Sequence, residues 1–155
     1  MAVLGLIAAL AGTDLYLKEY IDSQKAEEFP RDLPAAKGLI KLYRNHNAGF
    51  PFGFLKERRD LVTQIPLALT SALGGALAFL CMRRGRRFEK AGLILAFSGA
   101  VSNAAERLGK GYVVDYFSIQ KGRLKKVVFN LGDIYILVGS AILVLAQMVK
   151  SSDKK

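Results

Sequence analysis

The chain has 155 residues, 52% of them hydrophobic, and sets 23 Lys and Arg against 13 Asp and Glu for a net charge of +10. That length makes a single domain, residues 1–155, and a mean hydropathy of +0.23 excludes an ordinary soluble fold of this size. With one cysteine, Cys81, and one histidine, His46, an internal disulfide, a structural zinc site and a two-histidine zinc protease motif are all excluded, so no metal and no cofactor is expected.

Four apolar segments follow one another at about residues 1–17, 61–82, 90–108 and 130–150. Leu61 to Met82 has no charged residue over a length sufficient to cross a bilayer, for which about 20 apolar residues are needed. Val127 to Val149 is nearly as clean and carries one charge, Asp133. Met1 to Leu17 and Ala91 to Ala105 are weaker, and the second is short unless Lys90 and Arg107 snorkel from its ends. An Ala9-x-Ala11 pattern resembles a leader cleavage site, but no basic residue precedes it, so the first segment is expected to stay as a span. The fold class expected is therefore a mainly α membrane protein with four transmembrane helices.

The basic excess lies between these segments and addresses a membrane, not nucleic acid. "RRGRRFEK", Arg83 to Lys90, and the lysines after residue 149 face the cytoplasm under the positive-inside rule, which puts both termini inside. The loop from Arg107 to Lys126 is also basic and falls outside in this topology, where Lys121 to Lys126 would meet anionic lipid headgroups. Between the first two spans, Pro30 and Pro34 break a polar loop that has room for one short interfacial helix. A strand is predicted near Leu42, ahead of a turn-rich loop with Asn47, Gly49, Pro51 and Gly53. Tyr112 to Ile119 and Leu124 to Phe129 flank Lys121-Gly122 and predict a β-hairpin, which with the first strand makes a small outer sheet.

Polar groups near membrane depth are costly and are default functional candidates. Asp14 and Lys18 are spaced i, i+4 in the favourable order, and an ion pair finishing the first helix at the interface explains them. Asn103, Glu106 and Arg107 share one helix face with Gly99; they serve either close helix packing or the orientation of other carboxylates. Asp115 interrupts the alternation of "YVVDYF" and reads alone as a solvated edge charge. Asn130 is placed to cap the fourth helix, with Asp133 at its third position. A hairpin returning from Asp115 brings it back to Asp133, however, and two carboxylates in a partly desolvated site share a proton, one as base and one as acid. That is aspartic-protease chemistry, and it needs neither serine, cysteine nor metal.

With these residues assembled, the chain resembles lipoprotein signal peptidase, the signal peptidase II family. "DLYLK" resembles that family's D-x-x-x-K box, and "NAGFPFG" its N-x-G-A-A-F-G loop, with Phe50 and Pro51 in place of two alanines. "SGAVSNAAER" resembles G-G-x-x-x-N-x-x-D-R, with Ser98 and Glu106 in place of Gly and Asp. "GYVVDYF" and "FNLGD" resemble the two boxes that hold the family's aspartates. The resemblance implies a bacterial cytoplasmic-membrane enzyme with four transmembrane helices and an extracytoplasmic antiparallel β cradle. It would cleave prolipoproteins before the diacylglyceryl-modified cysteine. It also implies Asp115 and Asp133 as catalytic residues at the outer face, Asn103, Arg107 and Asn130 as orienting residues, and Asn47 and Gly49 on the substrate loop. Asp14, Lys18 and Glu106 would be supporting. Globomycin-like inhibitors, contact with membrane lipids and a monomeric state are expected with it. Two alternatives stay open: a non-catalytic membrane protein, such as a transporter subunit or lipid-binding scaffold, and a family member disabled at Glu106.

Overall fold

The computed structural model describes residues 2–49 and 57–152. Four helices carry the chain: α1 (Ala2–Asp22), α2 (Arg59–Cys81), α3 (Arg87–Lys110) and α4 (Leu131–Ser152). Each falls on one of the four predicted segments. Among the described residues, two are long and apolar enough to cross a membrane, α2 over Asp60–Cys81 and α4 over Leu131–Lys150. The polar residues of α1 and α3 hold those helices below the same standard.

Helix α3 packs against the other three, and its seam with α4 is built from glycines. A Cβ placed on Gly99 would stand 2.2 Å from the carbonyl oxygen of Gly132, and one on Gly139 would stand 2.5 Å from that of Gly92. The two backbones therefore touch at both crossings, an approach that small residues alone permit. The close contact predicted at Gly99 is met by Gly132. One apolar cluster, Leu77, Leu93 and Ile94 with Ile7, Leu10 and Leu143 around it, ties the four helices together. A second, Ile21, Val114 and Tyr116, joins α1 to the sheet. The interior also holds polar groups: Asp14, Lys18, Ser98, Ser102, Ser118 and Asn130 are fully buried, while Phe79, Leu137, Leu145 and Met148 are exposed. Such a distribution suits an apolar solvent better than water.

The sheet has three antiparallel strands in the order β1 (Arg31–Asp32), β2 (Ile40–Asn47), β3 (Val113–Ile119). The strand predicted near Leu42 is β2. In place of an interfacial helix the Pro30–Pro34 region has single 3-10 turns at Ala26–Glu28 and Pro34–Ala36. The hairpin is half right. Its first leg is β3, but Gly122–Lys126 forms a 3-10 turn and only Phe129 returns, through one bridge to Phe117. Gly122 takes a positive φ of 55° there, and the adjacent charges of Lys125 and Lys126 break the two-residue alternation a half-buried strand requires.

A register shift in β2 decides which side chains share a face. Leu42 pairs with Phe117, yet Asn45 pairs with Asp115, so β2 holds one extra residue between them. Without it, Arg44 and His46 would lie on the face of Asp115. With it, Asn45 and Asn47 do.

Candidate active site

Helix α4 begins in a reciprocal cap. Asn130 Oδ1 accepts from the Asp133 amide at 2.9 Å, and Asp133 Oδ2 accepts from the Asn130 amide at 3.1 Å. The first helical amide, Leu131 N–H, is shared between Asp14 Oδ1 and the Tyr116 hydroxyl, each at 3.0 Å. Glycine at position 132 leaves this cap room: a Cβ there would lie 2.7 Å from Asp14 Oδ2 and 3.0 Å from Asn130 Oδ1, so those side chains would have to shift. The capping role predicted for Asn130 and Asp133 is thus present, and it coexists with a second set of contacts.

Asn130 also reaches the sheet. Its Nδ2 donates to Asp115 Oδ1 at 2.7 Å, so one asparagine holds both aspartates. The other Asp115 oxygen accepts from Asn47 Nδ2 at 3.0 Å, and Asp133 Oδ1 accepts from Asn103 Nδ2 at 2.9 Å. Asp115 is buried in β3, not a solvated edge charge. Burial, and next the charge of Asp133, raise its carboxyl to about 6 in spite of the amides from Asn47 and Asn130.

A second tier supports these groups. Lys18 and Asp14 pair at 2.8 Å, as their spacing predicts, but at full burial and not at an interface, since α1 continues to Asp22. Lys18 Nζ also donates to Ser102 Oγ at 3.0 Å and Asn103 Oδ1 at 2.6 Å. Glu106 Oε2 accepts from the Val114 amide at 2.9 Å, next in sequence to Asp115, and lies 3.6 Å from Lys18. Its other oxygen is 3.2 Å from Lys110. Arg107 donates to the carbonyls of Val62 (2.9 Å) and Gly49 (2.8 Å), and its charge acts on both Asp115 and Asp133. Gly49 in turn donates its N–H to Asn47 Oδ1 at 3.0 Å. All ten predicted site residues, Asp14, Lys18, Asn47, Gly49, Asn103, Glu106, Arg107, Asp115, Asn130 and Asp133, therefore join one network. Phe50, Pro51, Phe52 and Gly53 lie outside the described residues.

Tyr116 was not singled out by its sequence. It donates to Asp14 Oδ1 at 3.1 Å, and burial beside that charge pushes its hydroxyl up, so it stays protonated. A further cluster, joined to this network through Lys110, gathers Arg44, His46 and Lys110 on Asp22, with His46 stacked on Tyr112. Nothing in the sequence spacing of those residues announces it.

Apolar helices around a buried polar centre, closed by a small sheet, make up the fold. A bacterial membrane enzyme solved by the in meso method shares it with a TM-score of 0.81 at 20% identity, over 99% of this chain and 92% of that one. A second such enzyme gives 0.74 at 19% identity, over 94% and 92%. The family is then decided by sequence: the model for signal peptidase (SPase) II matches residues 6–149, and the chain belongs to that family. It is 30% identical over 152 residues to the lipoprotein signal peptidase of Xanthomonas axonopodis pv. citri, covering 97% of this chain and 87% of that protein. The lipoprotein signal peptidase of Clostridioides difficile is 32% identical over 111 residues, 72% of each chain.

Proposed function

We infer that the protein is a membrane aspartic endopeptidase that removes the signal peptide of prolipoproteins, cutting before the diacylglyceryl-modified cysteine. Asp115 and Asp133 are its catalytic pair. The observation that carries this reading is Asn130, whose side chain and backbone amide hold one carboxylate each. Family membership supports the substrate.

The surroundings of the pair favour a single shared proton. Burial and the charge of Asp133 both oppose ionisation of Asp115, so the pair holds one proton up to about pH 6. The ionised aspartate then takes a proton from water as the water oxygen bonds to the scissile carbonyl carbon. The protonated aspartate donates a hydrogen bond to the oxyanion and afterwards gives its proton to the leaving amine as the C–N bond breaks. Amides from Asn47, Asn103 and Asn130 hold both carboxylates in place before substrate arrives, which lowers the reorganisation that the chemistry requires.

All four helices span the bilayer in this reading, α1 and α3 by keeping their charges inside the bundle. Both termini face the cytoplasm and the sheet end lies at the outer surface. There the substrate's acyl chains remain in lipid and the scissile bond is held at the depth of the pair. A monomer suffices, and globomycin-like cyclic peptides are expected to block the site. The test is cleavage of a lipidated precursor in liposomes by Asp115→Asn and Asp133→Asn separately. Each is expected to lose about 100- to 10,000-fold in kcat. A folded variant with near-normal turnover overturns the reading.

A further inference from the structure

Three asparagines serve the two aspartates, and an asparagine amide helps an ionised carboxylate only when its NH2 end faces it. A donor on the far side decides the matter in each case. The Gly49 amide occupies Asn47 Oδ1, and the Asp133 amide occupies Asn130 Oδ1, so both of these are oriented by backbone. Asn103 is oriented by a side chain. Its oxygen lies 2.6 Å from Lys18 Nζ, and an ammonium has three donors and no acceptor. Turning the amide over would set NH2 against NH3+ and the amide oxygen against Asp133. The NH2 end is thereby committed to Asp133 Oδ1 at 2.9 Å.

Lys18 has no freedom to release it. Its three protons go to Asp14 Oδ2 at 2.8 Å, Ser102 Oγ at 3.0 Å and Asn103 Oδ1, and its side chain is fully buried. Ser102, having accepted from Lys18, passes its own hydrogen to Asp14 Oδ2 at 2.6 Å. Asp14 is in turn fixed by Tyr116 and by the first amide of α4. The ammonium is therefore locked to the same helix end that carries Asp133.

We propose that Lys18 is a positioning residue for Asp133: it acts through Asn103, whose amide it holds in the one orientation that donates to the catalytic carboxylate. This goes beyond an ion pair that stabilises α1, and it rests on the reading of Asp115 and Asp133 as the catalytic pair.

A double-mutant cycle on the full-length enzyme separates the two roles. Lys18→Met, Asn103→Ala and the double variant are reconstituted in phosphatidylglycerol–phosphatidylethanolamine liposomes and assayed on a lipidated precursor, with kcat expressed per folded molecule from the helical circular dichroism. Each single change is expected to lower kcat by about 10- to 100-fold with KM within about threefold, and the double variant to be no slower than the slower single. Losses that multiply, or a Lys18→Met enzyme with normal kcat per folded molecule, overturn the proposal. Should Lys18→Met fail to fold because Asp14 is left unpaired, Asp14→Asn/Lys18→Met removes the pair together and carries the same cycle, with Asp14→Asn as its reference. Asp133→Asn is run alongside. If it keeps turnover, the catalytic-pair reading itself is wrong; if it is inactive while the losses multiply, only the role of Lys18 is.

Discussion

Replacing Asp115 with asparagine should change how stability depends on pH, and by an amount the burial of this side chain sets. The folded protein raises the carboxyl from 3.8 to about 6, a preference of about 3 kcal/mol for the protonated form. Between those values the folded state holds the proton more tightly than the unfolded chain does. The contribution is therefore fully present below about pH 4 and is lost as pH rises through about 6. The amide introduced by Asp115→Asn does not titrate. It also brings an NH2 group against the donors of Asn47 and Asn130, a pH-independent cost of about 1–3 kcal/mol. The variant should thus be the less stable protein in acid, and should gain about 2 kcal/mol on wild type between about pH 4.5 and 7.5. Unfolding in mixed detergent–SDS micelles, followed by helical circular dichroism at both pH values, measures this difference; groups that do not act on Asp115 cancel, and the same pair of proteins carrying Asp133→Asn removes the carboxylate that does. A gap that stays constant within about 0.5 kcal/mol would mean that Asp115 does not titrate in this range, and the argument from burial would fall.

The glycine seam gives a contrasting pair of variants. Gly99→Ala drives a methyl into the Gly132 carbonyl beside Asp133 and should cost about 1–3 kcal/mol in stability and about 100-fold in kcat. Gly139→Ala meets the Gly92 carbonyl away from the site and should lose similar stability in the same unfolding assay with little loss of kcat. Tyr116→Phe removes the donor to Asp14 and one acceptor of the Leu131 amide, for an expected loss of about 1–2 kcal/mol; unchanged stability would show that these contacts are not formed. Cys81 is exposed at the end of α2 and should react with a membrane-impermeant maleimide only after the membrane is opened, while labelling from outside intact cells would invert the proposed orientation.

The helices and the cap of α4 are legible in the sequence because each depends on residues close together: unbroken apolar runs, and an Asn and an Asp three apart. Asp14 and Lys18 could be paired by spacing, but their depth could not be read, since full burial comes from Ser102 and Tyr116, far along the chain. The extra residue in β2 was invisible for the same reason. It exists only relative to β3, yet it turns Asn47 and not His46 toward Asp115. The second hairpin leg failed on a local conflict, apolar β-branched residues next to a basic 3-10 turn that Gly122 initiates. Tyr116 gave no signal because its neighbours already accounted for it as one more aromatic in a strand.

The backbone contact of α3 with α4 has a consequence for the enzyme in different bilayers. Asn103 rides on one of these helices and Asp133 on the other, and at Gly99 and Gly132 no side chain lies between them to yield. In the proposed four-span topology, a thinner or thicker membrane would tilt both as one plank, leaving their spacing unaltered. Lipid chain length should therefore govern how well the precursor is presented far more than how fast the bond is cut.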